Sequence, residues 1–74
     1  MNKCSKDYGN FIKERRSKIG LTQEEVAKRL GISQVAYGRY ELGTREPNLD
    51  LIFRIAEVLD FKPGEFFDNY VEEQ

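Results

Sequence analysis

The sequence predicts an all-α domain built of short helices. Three observations predict it. A capping box, Thr22-x-x-Glu25, opens an apolar stripe that stops at Gly31. A second start signal, Ser33, follows at once, and its segment closes at Gly43. Apolar residues also recur at i, i+3, i+4 spacing through 8–19 and again through 49–59.

Taken in order, residues 1–6 are polar and read as a flexible N-terminus. The first helix is predicted from about Asp7 to Lys18, with Tyr8, Phe11, Ile12 and Ile19 as its apolar stripe. Asp7 suits the positive end of its dipole, and Arg15, Arg16 and Lys18 suit the negative end. Gly20 ends it. The second helix spans 23–30 and buries Val26, Ala27 and Leu30. Gly31 can take the left-handed conformation that closes it, where a Cβ is costly, and Ile32 plugs the corner beyond. The third helix spans 34–42. Ala36, Tyr37 and Tyr40 share its inner face, which leaves Gln34, Val35, Gly38 and Arg39 on the free sides. Residues 43–47 form a loop by composition. Asn48 caps the fourth helix, whose stripe is Leu49, Ile52, Ile55, Ala56 and Leu59; Asp60 tolerates a left-handed exit. A short fifth helix has Pro63 at its first turn and Phe66 and Phe67 inward. The acidic tail, 68–74, continues that helix or frays. The whole chain, 1–74, reads as one domain with its core over about 7–67.

Composition excludes several function classes. Seventy-four residues make one small domain with little surplus core. The lone Cys4 forbids an intrachain disulfide, and with no histidine a structural zinc site is excluded. No apolar run is long enough for a membrane helix or a signal-peptide core, so a cytoplasmic protein without membrane contact is expected. There is no nucleophile beside a base, no glycine-rich phosphate loop and no metal-ligand spacing, so an enzyme is not expected and no cofactor is implied. The net charge of −1 conceals a split. Residues 1–45 hold ten basic and five acidic side chains, whereas 46–74 hold two basic and eight acidic. Local charge rather than the total steers a protein toward phosphate; the bland alternative is an ordinary solvated surface.

Two helices joined by so short a turn cross steeply, and the second projects from the surface. That geometry carries a helix into the major groove of DNA. The series Thr22-Gln23-Glu24-Glu25, Ala27, Leu30-Gly31-Ile32-Ser33, Tyr37, Tyr40-Glu41, Gly43 and Pro47, continued by Leu49, Ile52, Ile55-Ala56, Leu59 and Phe66-Phe67, resembles the phage-repressor family of Cro/C1 or xenobiotic-response-element (XRE) type. The resemblance covers roughly residues 8–67 and implies a compact five-helix DNA-binding domain, with its helix-turn-helix at helices two and three.

Gln34, Val35 and Arg39 are the candidate base-contacting residues. The Gln34 amide can pair with adenine, Val35 can touch a thymine methyl and Arg39 can reach a guanine or a phosphate. Thr22, Gln23, Thr44 and Arg45 are candidate phosphate contacts that position rather than specify. By resemblance, Arg16 and Glu41 form an ion pair that orients the recognition helix, with Arg16 also offering a hydrogen to phosphate. Three positions depart from the family pattern: Gly38 inside a helix, Arg15 where an apolar residue is usual, and Lys62 where a capping Ser or Thr is usual.

The resulting expectation is a sequence-specific regulator of transcription on double-stranded DNA, with helix 34–42 as its reader. One such module is small for a specific interface, so a homodimer on a two-fold-related site is expected, half-sites about one turn apart. Candidate dimer surfaces are Leu51 and Val58 with Phe53, or Phe67, Tyr70 and Val71; either set could instead complete the core. The alternative is a protein-interaction module, antitoxin-like or anti-repressor, whose partner binds the acidic C-terminal half.

Overall fold

Short-range hydrogen bonds from side chains at fixed offsets set the helix ends. The computed structural model describes residues 3–72. It contains α1 (Lys3–Ile19), α2 (Gln23–Leu30), α3 (Gln34–Leu42), α4 (Leu49–Val58) and α5 (Gly64–Glu72), with no strand among the described residues. Thr22 Oγ1 accepts from the Glu25 N–H at 3.1 Å, and Glu25 accepts from the Thr22 N–H at 2.9 Å, closing the box at the start of α2. The Thr22 backbone N–H, with the Thr22 hydroxyl beside it, holds the Glu25 carboxyl below its ordinary range. Ser33 and Asn48 cap α3 and α4 in the same way, accepting from Ala36 and Leu51. Asp60 leaves α4 at φ 56°. At α5 the cap is half a box: Glu65 accepts from the Lys62 N–H at 2.8 Å, while Lys62 has no oxygen to offer in return.

The first helix starts earlier than the sequence indicates. Residues 3–6, expected to be flexible, are helical, and α1 opens at Lys3 rather than Asp7. Lys3 pairs with Asp7 one turn on, at 3.0 Å. Ser5 is buried, and its hydroxyl donates to Glu46 at 2.8 Å, across 41 residues of sequence. That tertiary bond has no local signature. Residues 1–2 and the last two residues of the acidic tail lie outside the described set.

The core gathers one face of every helix: Tyr8 and Ile12, Val26, Ala27 and Leu30, Tyr37 and Tyr40, Ile55, Ala56 and Leu59, and Phe66, with Phe61 from the α4–α5 loop. Two glycines set the α1–α3 spacing. A Cβ on Gly9 would lie 2.6 Å from the Tyr40 carbonyl oxygen and nearer still to that of Glu41. Gly43, at φ 76°, faces the Lys6 backbone with no room for a side chain. Arg15 joins α1 to the far end of the domain: its Nη2 donates to the Asp60 carbonyl at 2.7 Å, and its guanidinium lies 5.7 Å from the Phe61 ring centre. Its apolar stem and charged head thus share the work of the apolar residue usual there.

Two apolar expectations need correction, and the choice between dimer surface and core is decided for four residues. Ile19, at the end of α1, is 40 % exposed. Leu49 is 70 % exposed, because at about 100° per residue it falls roughly a quarter-turn from the stripe centred on Ile52, Ile55 and Leu59. Leu51 and Val58, offered as an exposed apolar side, pack against the core, as do Phe67 and Tyr70. Only Phe53 of those candidates is exposed, and the Val71 side chain lies outside the described set. No helix is long and apolar enough to cross a membrane among the described residues.

Candidate nucleic-acid interface

The inner face of α3 is fixed first. Tyr37 is fully buried and Tyr40 nearly so, which makes both core residues rather than stacking platforms. The Tyr37 hydroxyl is buried beside the Glu41 carboxylate and the Arg16 guanidinium. Burial, reinforced by the neighbouring Glu41, pushes it above the usual phenol range.

Glu41 is 4 % exposed and draws three helices together. Arg16 of α1 donates to it twice, Nε to Oε2 at 2.6 Å and Nη2 to Oε1 at 3.2 Å. Gln23 of α2 donates its amide to Oε1 at 2.9 Å. Arg16 Nη1 also donates to the Leu21 carbonyl at 2.9 Å. Burial by itself raises a carboxyl, but here the bonds from Arg16 and Gln23 together outweigh it and hold Glu41 below the usual carboxylate range. The same pairing raises Arg16. The opposite end of α2 is tied to α4, where Arg54 donates to the Leu30 carbonyl at 2.6 Å. The pose of α3 is therefore held by buried polar groups as well as by packing.

With that face inward, Gln34, Val35 and Arg39 emerge exposed on the other side, Val35 at 65 %. Together with Gly38, Leu42 and the edge of Gln23 they line one shallow depression. Ser33 satisfies the Ala36 N–H, and the N–H groups of Gln34 and Val35 before it lack intrahelical acceptors, as at any helix start. Thr44 and Arg45 are exposed on the loop that follows, the Thr44 hydroxyl 3.4 Å from the Arg39 carbonyl. Thr22 lies at the start of α2, its oxygen already accepting within the capping box.

Two of the expected phosphate contacts are engaged inward. The Gln23 amide nitrogen gives one hydrogen to Glu41, which leaves its second hydrogen and the backbone N–H at the helix start for a phosphate. Arg16 has every guanidinium nitrogen in a hydrogen bond and a side chain 14 % exposed, so only its rim hydrogens face out. Leu42, which is not among the candidates named from sequence, is 69 % exposed on the outer face. Its signal was present, since Val35, Arg39 and Leu42 stand at i, i+4, i+7. Gly38 is not required by packing: a Cβ there would meet the Gln23 side chain at 3.6 Å, an ordinary contact. Among the described residues, no group of His, Cys, Asp or Glu is placed to hold a metal ion.

Comparison with known proteins bears on this surface. Residues 12–66 match the profile of the helix-turn-helix family. The chain is 43 % identical over 53 residues to the uncharacterized HTH-type transcriptional regulator YqaE of Bacillus subtilis, a match spanning 72 % of this chain and 46 % of that one. It is 41 % identical over 56 residues to an uncharacterized HTH-type transcriptional regulator of Archaeoglobus fulgidus, spanning 76 % and 79 %. The chain thus spans about half the length of YqaE but most of the archaeal protein. Among solved structures, the restriction-modification controller protein C.AhdI from Aeromonas hydrophila superposes with a TM-score of 0.76 at 33 % identity, over 81 % of this chain and 87 % of that one. None of these three names points to an antitoxin or anti-repressor.

Proposed function

The chain belongs to the helix-turn-helix family, and from that premise we propose that it is a transcriptional regulator that reads double-stranded DNA with α3 in the major groove. The observation that carries this reading is the two-sided character of α3. Its inner face is buried and anchored through Glu41, while Gln34, Val35 and Arg39 stand exposed together on the outer one. A rigid helix presenting an amide, a methyl-bearing side chain and a guanidinium suits base edges, which demand fixed donors and acceptors. Thr22, the Gln23 backbone N–H, Thr44 and Arg45 flank that helix and hold the adjoining phosphates, with the rim of Arg16 as a lesser contributor. A role on DNA, together with relatives of bacterial and archaeal origin, supports a cytoplasmic location.

The binding unit is a homodimer on an inverted repeat, because a single module of this size makes a small specific interface. Leu49 and Phe53, exposed one turn apart on α4, are the apolar residues open to a second copy. The test is selection from a random duplex library at about physiological ionic strength, where non-specific phosphate binding is weak. Enrichment of an inverted repeat supports both parts of the reading. A single half-site keeps DNA reading and removes the dimer; no enrichment by folded protein removes the reading itself.

A further inference from the structure

A ridge of polar and basic side chains on α1 lies beside the helix-turn-helix. Lys6, Asn10 and Lys13 stand at i, i+4, i+7 and are all exposed. They form one wall of a depression whose other wall is Gln23, Glu41 and Leu42. Gln23 and Leu42 also line the depression on the outer face of α3. The two depressions are therefore contiguous, and the α1 ridge borders the proposed reading surface along the C-terminal half of α3. The backbones of α1 and α3 touch there, at Lys6 and Gly43.

The charge on this ridge is uncommitted. Three other basic residues of α1 are tied to carboxylates: Lys3 to Asp7, Arg15 to Glu65 and Arg16 to Glu41. Lys6 and Lys13 are in no ion pair among the described residues. The one carboxylate in the depression, Glu41, is already neutralised by Arg16 and offers no net repulsion to an anion. Seven residues of helix separate the lysines by about 10 Å, enough for each to address its own phosphate. Asn10 adds an uncharged donor between them.

We infer that Lys6, Asn10 and Lys13 form a second phosphate-holding element, which grips the DNA backbone beside the groove that α3 enters. This rests on the regulator reading above. Such contacts raise affinity without carrying sequence information, and each released counterion steepens the salt dependence.

The experiment measures the affinity of wild type, Lys6→Gln, Lys13→Gln and the double variant for the selected duplex across a salt series. Lys62→Gln, at an exposed position between α4 and α5, serves as the charge control. On a dimer each single ridge variant should flatten the slope of log K against log salt by about 1.8, about 0.9 per protomer, and the double variant by about twice that; between 50 and 200 mM salt a single variant then loses about 12-fold less affinity than wild type. The preferred sequence should not change. Wild type binding a selected site while all ridge variants keep the slope of Lys62→Gln overturns the ridge alone. Wild type enriching no site overturns the regulator reading and the ridge with it.

Discussion

The buried carboxylate of Glu41 meets the Arg16 guanidinium at 2.6 Å, and this contact ties the third helix to the first. Its Glu41 side chain is 2 % exposed and its Arg16 side chain 14 %. Such a pair adds little net stability relative to an apolar substitute, yet removing one partner strands the other charge out of water. Arg16→Met should therefore destabilise the domain by about 3–5 kcal/mol. Glu41→Gln should do less harm, since the amide oxygen can still accept from Arg16 Nη2 and Gln23, although the amide nitrogen gives up the bond from Arg16 Nε. Urea unfolding of both variants checks this, and equal losses would sink it.

Acid should act on the same carboxylate. Burial opposes its ionisation, but the bonds from Arg16 and Gln23 prevail and hold it below its ordinary value of 4.5. A depressed folded value means that Glu41 contributes its stabilisation fully above about pH 4.5, and that this is lost as the pH falls through the folded value. NMR titration of the Glu41 side-chain carboxyl should give a midpoint below 4.5. A midpoint above it would show that burial has won over pairing.

Gly9 and Gly38 should respond in opposite ways to the same change. A methyl at Gly9 collides with the Tyr40 and Glu41 carbonyls, so α1 and α3 must part; Gly9→Ala should lower stability by about 1–3 kcal/mol. A methyl at Gly38 meets only the Gln23 side chain, at 3.6 Å. Gly38→Ala should therefore raise stability by up to about 1 kcal/mol, the helix-propensity difference. If α3 enters the groove, the added methyl sits on the binding face and should weaken DNA binding although the fold is firmer. Thermal melts and DNA titrations on the two variants separate these effects. A Gly38→Ala protein that is less stable than wild type would refute the packing argument.

Features of the fold that depend on nearest neighbours were legible in the sequence. The Thr22–Glu25 box, the Ser33 and Asn48 caps and the left-handed exit at Asp60 all depend on residues within one turn. The features that escaped depend on distant partners. Ser5 becomes helical and buried through Glu46, and Gly9 is needed because of the α3 backbone, neither of which local spacing reveals. Leu49 belongs to the right helix but sits at its edge, where a stripe read at integer spacing runs ahead of the true 3.6-residue turn. At the candidate site, the outward side chains of α3 follow from its inward tyrosines. The inward engagement of Gln23 does not, because an amide at a helix start is equally suited to a phosphate and to a buried carboxylate.

Base readers and backbone holders on the proposed surface should separate in their effects. Gln34→Ala and Arg39→Ala each remove donors that can pair bidentately with a base edge, so each should cost about 1–3 kcal/mol on the selected site and relax the preference at one base pair. Arg45→Ala removes a charge from the loop after α3 in each protomer, so it should weaken all sequences alike and flatten the salt slope by about 1.8 for the dimer, about 0.9 per protomer. The two classes are told apart by repeating the library selection with each variant and by titrating the parent site across a salt series. If Gln34→Ala and Arg39→Ala left the selected sequence unchanged while Arg45→Ala altered it, α3 would not be the reading element. The loop at 44–45 would then have to be regarded as the part of the domain that enters the groove.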